Sequence, residues 1–463
     1  MADIDMTKIV MKFGGVSIAD ESCIRHVIRI IQQRVENNPI LVFSAMSKTT
    51  RRLLQVAEWQ TQGIGESSEG LLEIETFHRA LAQQLIPDWD ESEYGIRFDS
   101  IMSELHHAIQ SLPQTDRLEP KLQDRILPFG ELLSTIIMSA VLQQAGVRAK
   151  WLDIRNAIIT NEDFTMAMPI PDISSVKINE QVGGAVEAGY VPVIQGFIGS
   201  TEKGDSTTLG FEGSDFTATL VGSSLKASEI QIWKDVPGLM TADPRVIEEA
   251  RKVDLISFEE AAELSFFGAK VLHPNTIEPA RAHQIPIYIN NVRDPDKPGT
   301  KISSDLDSAA PIVKSITAKH GMQAIQMKPF ESPSNYVFLD KVFDALDEAD
   351  VMPYAFQSEP SGISLVISAG DENSELNNNL DFIGEKHVST GHSTLTLVGE
   401  KIRTFPDFKS MVLKLLKGFH IKLVSDMSSP ISLTFMINTT DVDAILKHLH
   451  EKLIIQQAIE EAT

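Results

Sequence analysis

One cysteine, Cys23, is present in 463 residues. No internal disulfide can form, and the composition suits a reducing compartment, so a cytoplasmic location is expected. Positive charge is also short: 41 Lys and Arg stand against 64 Asp and Glu, a formal charge of −23 that is spread along the chain. That balance argues against nucleic acid or an anionic membrane as the main partner. No apolar run approaches the roughly 20 residues that a bilayer span needs. The opening MADIDMTK has neither the basic nor the apolar region of a secretory signal. Paired cysteines, HExxH and GxSxG are all missing, so no protein-held metal and no serine nucleophile elbow is expected.

What is present is an alternation. Up to about residue 300, short apolar strands (TKIVMKF, PILVFSA, VPVIQGFIG, EIQIWKDV, IPIYINN) are separated by helical patterns such as IRHVIRIIQQRVEN. This predicts an α/β domain with a mainly parallel sheet, and residues 63–127 read as a helical elaboration on it. Residues 293–311, RDPDKPGTKISSDLDSAAP, collect proline, glycine, serine and aspartate and mark a boundary. Beyond it, KVFDALDEADV, MPYAFQSE and ISLVIS are echoed by MVLKLLKGFH, IKLVSDMSS and ISLTFMIN, with Ile363-Ser364-Leu365 matching Ile431-Ser432-Leu433. A duplicated small α/β module is expected there.

Several stretches carry groups suited to chemistry. In VMKFGGVSIAD a lysine closes a buried strand and two glycines follow. Glycine lets backbone N–H groups converge on a phosphate, and an ammonium neutralises charge on a transferring phosphoryl group. A plain strand-turn-helix remains the alternative for Lys12, Gly14 and Gly15 taken alone. SAMSKTT, residues 44–50, offers hydroxyls and a lysine at a strand's carboxyl end, where open α/β sheets bind ligands; an ordinary helix cap reads equally well. Glu131 opens the apolar helix of LPFGELLSTIIMSAVLQ, either favouring the helix dipole or receiving an ammonium group. Gly213-Ser214-Asp215 starts another apolar helix, where N–H groups face an anion and Asp215 orients Lys12 or binds an ammonium; an N-capped helix after a loop is the plainer alternative. In IWKDVPGLMTADPR, Asp235 is placed for ribose or base and Arg245 for phosphate. His273, before Pro274, reads as a structural hydrogen-bonding residue. Any metal is expected to arrive with a nucleotide, as Mg²⁺ on its phosphates.

Taken in order, MKFGGVS, LVFSAMSKTT, FGELLS, the glycine-rich GFIGSTEKGDSTTLG with GSDFTA, WKDVPGLMTADPR, FGAKVLHP and KPGTKI resemble the motifs of the aspartate kinases, members of the amino-acid kinase family that carry two C-terminal ACT domains. The resemblance implies a three-layer αβα sandwich with a mainly parallel sheet over 1–300, substrate side about 1–200 and nucleotide side about 201–300. Two ferredoxin-like βαββαβ ACT modules follow, over 312–388 and 389–463. It also implies transfer of the γ-phosphoryl group of ATP, with Mg²⁺, to the β-carboxylate of L-aspartate, the first step toward lysine, threonine, methionine and isoleucine. By the same resemblance Lys12 and Asp215 are catalytic. Ser44, Thr50, Glu131, Phe211 and Ser214 are substrate-side positions, and Lys12, Gly14, Gly15, Lys234, Asp235, Met240, Arg245 and Lys270 are nucleotide-side positions. Lysine or threonine as effector, and a homodimer or larger assembly through the ACT domains, are implied too.

The chain departs from the family's pattern at named positions. Where the family usually reads LGRGGSD, this chain has LGFEGSD over 209–215, so the arginine that clamps a substrate carboxylate is Phe211. Lys48, Arg51 and Lys203 are candidate replacements. Val16 and Lys234 stand where threonine is usual, and Met240 where tyrosine is usual. Two other functions therefore stay open: a relative acting on a different carboxylate, or a catalytically weak amino-acid-binding regulator. In the segment 328–335, where the family binds effectors, prolines replace glycine.

Overall fold

The computed structural model describes residues 7–269, 272–305, 311–330, 335–359, 361–425 and 429–456. They form two compact units: Met1–Leu239 with Asp254–Phe258 and Val271–Leu306, and Met240–Val253 with Glu259–Lys270 and Asp307–Thr463.

The first unit is built on an eight-stranded sheet. In spatial order its strands are Ala149–Trp151, Val191–Gln195, Pro39–Phe43, Ile9–Phe13, Glu229–Lys234, Ile287–Asn291, Thr300–Ile302 and Leu255–Ile256. All neighbours are parallel except Ile287–Asn291 with Thr300–Ile302. A parallel strand with neighbours on both sides loses solvent on both faces. That is why Ile9–Phe13 and Pro39–Phe43 are buried at every position and read in the sequence as unbroken apolar runs. Phe13 pairs in register with Phe43 and Trp233, and the three rings stack at centroid distances of 5.4 and 6.0 Å. This aromatic row fixes the registry of three strands at their carboxyl ends.

The region expected to be helical, 63–127, contains the helices Ser67–Leu85, Glu93–Gln110 and Pro120–Ile126. The stretch Pro120–Gln144 corrects one expectation: by length and hydropathy it is apolar enough to cross a bilayer, but its apolar part is packed inside the unit. Every residue from Phe129 to Leu142 is buried, which is how a core helix acquires such a composition.

The second unit holds a six-stranded antiparallel sheet ordered Ala355–Glu359, Gly362–Ser368, Ser315–Pro329, Gly384–Val398, Ser432–Asn438 and Ile421–Ser425. Its two modules are interleaved. The Ser315–Pro329 strand changes register between His320 and Met322; its first half pairs with Ser393–Val398 and its second half with Gly384–Ser389 and with Ile363–Ser368. The cores divide the same way. Ile316 and Leu397 pack with Phe435 and Leu446, whereas Ile325 and Met327 pack with Val342 and Leu365. The boundary expected at 388/389 thus falls inside one strand, because each long strand serves both modules. Of the segment 328–335, residues 331–334 lie outside the described residues.

One turn in the first unit has no room for a side chain. A Cβ on Gly15 would lie 2.2 Å from the carbonyl oxygen of Ala45, a backbone atom that cannot step aside, whereas Gly14 faces open space. Gly15→Ala is expected to destabilise the fold by about 1–3 kcal/mol, and Gly14→Ala, at φ −73° and ψ 160°, by much less. Urea unfolding of the two variants checks this; equal midpoints would contradict it.

Candidate active site

Strand register places the first charges. Lys12 lies opposite Ile232 on the adjacent parallel strand, so the two side chains share a face, and Lys234, two residues on, returns to that face. The helix Gly213–Ser224 packs over these strands and carries Asp215 in its first turn. Asp215 is buried to 1%. The Lys12 ammonium contacts Oδ1 of Asp215, and the Lys234 ammonium lies 3.0 Å from Oδ2. A third carboxylate oxygen, Oε1 of Glu212, is 3.9 Å from Lys234. Burial alone would push the Asp215 carboxyl up, but the two ammonium groups outweigh it and hold the group below its ordinary value. For Lys234, burial acts to lower the pKa and is outweighed by Asp215 and then Glu212, so the side chain stays charged.

Glycines make this approach possible. A Cβ on Gly196 would meet Cβ of Ser214 at 2.5 Å, and one on Gly213 would meet the Phe197 ring at 2.8 Å. The helix start can therefore sit directly against the ends of the strands.

The second half of the site adjoins the first. The Ser44 hydroxyl donates to Oγ of Ser214 at 3.0 Å, and the next residue, Ala45, donates its N–H to Oε1 of Glu131 at 3.1 Å. Glu131 is buried to 3% in the first turn of Phe129–Gln144. Its other oxygen, Oε2, has no hydrogen-bond partner. Burial drives this carboxyl up to about 8, against the pull of the Ala45 N–H. A buried carboxyl with one unmet oxygen ionises readily only beside a cation, and so suits a cationic partner that the protein itself does not supply.

Lys12, Ser44, Glu131, Ser214, Asp215 and Lys234 are thus joined by one run of contacts, with Gly14 and Gly15 beside them in sequence. Thr50 follows the Thr49 hydroxyl, which donates to the Met46 carbonyl at 2.7 Å. Phe211 is 75% exposed and its ring meets His273 edge-on at 6.2 Å. Of its candidate replacements, Lys203 is paired with Glu162 at 2.5 Å, and Lys48 and Arg51 are exposed. Asp235 is exposed at the end of its strand. Met240 and Arg245 belong to the second unit, where the Arg245 guanidinium is held by Asp243 at 2.6 Å. Lys270 lies outside the described residues. His273 caps its helix by accepting from the Asn275 N–H, the structural role its position before proline suggests.

Sequence reasoning passed over three residues. Glu212 occupies a left-handed conformation at φ 54°; its only signal was a carboxylate where the resembling motif has glycine. Asp124, fully buried, accepts from the N–H of Thr165 and from both the N–H and hydroxyl of Thr208, so it anchors the strand that leads into the 209–215 loop. His78, also fully buried, lies 3.4 Å from the Thr49 hydroxyl and is held neutral, with burial lowering its pKa to about 4. Neither Asp124 nor His78 has a motif to reveal it.

A raised carboxyl pKa means that the folded state keeps a proton which the unfolded chain gives up. The contribution of Glu131 to stability is full below the ordinary value of 4.5 and is lost as pH rises toward about 8. Glu131→Gln, which keeps the acceptor for Ala45, is expected to melt less steeply with rising pH and to exceed the parent in stability above pH 8. Thermal unfolding from pH 5 to 9 checks this; parallel curves would contradict it.

Comparison with known proteins bears on the family and the fold. The profile of the amino acid kinase family matches residues 7–291. The lysine-sensitive aspartokinase 3 of Escherichia coli is 30% identical over 461 residues, covering 96% of this chain and 99% of that protein. The chloroplastic aspartokinase 1 of Arabidopsis thaliana is 30% identical over 459 residues, covering 96% and 79%. The crystal structure of E. coli aspartokinase III in complex with aspartate and ADP, in the R-state, superposes with a TM-score of 0.85 at 28% identity, covering 96% of this chain and 99% of that one. The family profile, the shared fold and near-complete coverage lead to one conclusion: the chain belongs to the amino acid kinase family, among its aspartokinases.

Proposed function

We propose that the protein is an aspartate kinase, transferring the γ-phosphoryl group of ATP to the β-carboxylate of L-aspartate and releasing ADP and 4-phospho-L-aspartate. The observation that carries this reading is the pairing of opposite needs in one site. The Lys12–Asp215–Lys234 cluster gathers two ammonium groups on one buried carboxylate, while Glu131 keeps a buried oxygen without a partner. A substrate bearing an ammonium group and a carboxylate beside a polyphosphate answers both.

In this reading the aspartate ammonium pairs with Glu131, and Ser44, Thr50 and Ser214 orient the rest of the substrate. Lys12 neutralises charge on the phosphoryl oxygens, Asp215 keeps its ammonium in place, and Gly14 leaves room for the phosphates. A carboxylate is already ionised near neutral pH, so attack on phosphorus requires no general base. Positioning and charge neutralisation supply the rate. Among the described residues no group of three or more His, Cys, Asp or Glu is arranged to hold a metal ion, and Mg²⁺ is assigned chiefly to the nucleotide's own phosphates. Lys234 and Asp235 are assigned to the nucleotide side.

Phe211 favours a second reading, a different carboxylate substrate, since a bidentate arginine contact contributes a few kcal/mol to binding. An amino-acid effector acting through the C-terminal modules is proposed because one relative is named lysine-sensitive and an E. coli aspartokinase III structure is a complex with lysine and aspartate, in the T-state. A homodimer or larger assembly through those modules and a cytoplasmic location complete the proposal.

The test is trapping of the acyl phosphate with hydroxylamine in the presence of MgATP. Aspartate-dependent hydroxamate is expected, lost by at least a hundredfold in a folded Lys12→Ala variant and reduced on titration with lysine. Hydroxamate with another carboxylate but not aspartate would transfer the assignment to that acceptor, unchanged turnover in Lys12→Ala would remove the role of Lys12, and indifference to lysine would remove lysine as effector.

A further inference from the structure

Glu212 is held in a strained conformation beside the transfer cluster. It holds φ at 54°, a conformation that L side chains avoid and glycine takes without penalty. It sits immediately before the helix Gly213–Ser224 without capping it through its side chain, so helix capping does not account for it. Its Oε2 is buried without a hydrogen-bond partner. What the carboxylate does touch is Lys234, through Oε1 at 3.9 Å. Strain retained beside a reacting centre points to a functional demand there.

Lys234 shows the same pattern from the other side. Its side chain is 18% exposed and is shared between Asp215 and Glu212. The same carboxylate, Asp215, holds Lys12 by its other oxygen. Lys12 and Lys234 thus come from adjacent parallel strands and reach one carboxylate from two sides. An anion approaching the Lys12 ammonium therefore approaches Lys234 as well. The charges at 212 and 234 also arise at the two places where this chain carries a charged residue against the uncharged one of the motifs given above.

We propose that Lys234 is a second cation for the terminal phosphoryl group of the nucleotide, and that Glu212 is the positioning residue that holds it there. The inference rests on the phosphoryl-transfer reading of this site. In the resting site the two carboxylates balance the two ammonium groups. When a triphosphate enters, its terminal oxygens take over contacts that Asp215 and Glu212 provide, and two ammonium groups instead of one face the charge that redistributes as the P–O bond to ADP breaks and the bond to the acceptor carboxylate forms. A charge placed on the terminal phosphoryl distinguishes ATP from ADP.

The experiment uses the full chain and follows binding of ATP and ADP by isothermal titration calorimetry, together with kcat in the hydroxylamine assay. Lys234→Thr is expected to weaken ATP about tenfold and ADP less than threefold, with kcat reduced at least tenfold. Equal effects on both nucleotides, or no effect on either, would overturn the assignment. Because binding is read without an acceptor, the result stands even where aspartate is not phosphorylated, a failure that the hydroxamate assay on the parent protein reports separately.

Glu212→Gln separates positioning from simple electrostatics. Loss of a negative charge would by itself tighten anion binding, lowering KM for ATP with kcat unchanged. Positioning requires instead a fall in kcat of at least threefold that is absent when the change is made in the Lys234→Thr background. Additive effects in the double variant would overturn the role of Glu212. Glu212→Gly, which relieves the left-handed strain, is expected to keep or raise the melting temperature while lowering kcat; a drop in melting temperature with kcat retained would make Glu212 a structural residue and overturn the inference.

Discussion

Everything assigned to the catalytic unit turns on one buried carboxylate shared by two ammonium groups. Asp215 is removed from water, a state that an unpaired ion would not sustain. Lys12 and Lys234 make it tolerable, and they reach it only because parallel pairing sets Ile9–Phe13 and Glu229–Lys234 in a register that puts both lysines on one face. The aromatic row of Phe43, Phe13 and Trp233 holds that register. Gly196 and Gly213 then allow the helix start to come close enough for the carboxylate to lie between the two cations. Breaking a buried pair by removing one partner costs about 3–5 kcal/mol, so register, glycines and charges are mutually dependent.

The opposite half of the site is built on an incomplete pairing. Glu131 is fixed by one backbone N–H and left with one oxygen unmet; burial raises its pKa, and a positive group beside it would offset that cost. The two halves are tied by short links, Ser44 to Ser214 and Ala45 to Glu131, which start from two consecutive residues. An amino acid carries both charges needed to bridge them, which is why the proposed acceptor suits this arrangement better than a simple carboxylic acid.

Much of this was legible in the residues. Unbroken apolar runs around Lys12 and in PILVFSA announced buried parallel strands, and the glycines after Lys12 announced a tight turn, which admits no side chain at Gly15. Ordered motifs located Lys12, Glu131, Ser214 and Asp215. What was hidden depends on tertiary contact. The hydrophobic stretch at 129–142 looks alike in a core or a membrane. The interleaving of the C-terminal modules follows from a register change within Ser315–Pro329, which no local pattern encodes. Asp124 and His78 are single polar residues on amphipathic helices, where spacing alone reads them as ordinary surface or core positions. Glu212 was visible as a departure from a motif, but its meaning required the 3.9 Å approach of Lys234.

The most direct test of the shared carboxylate is the single-turnover rate of acyl-phosphate formation in Asp215→Asn, measured by rapid quench with saturating MgATP and aspartate on protein shown to be folded. Asparagine keeps the shape and removes the charge that gathers Lys12 and Lys234. A rate at least a hundredfold below the parent, with ATP still bound, is the predicted result. A rate within threefold of the parent would show that the two lysines do not need this carboxylate, and would contradict the arrangement as described.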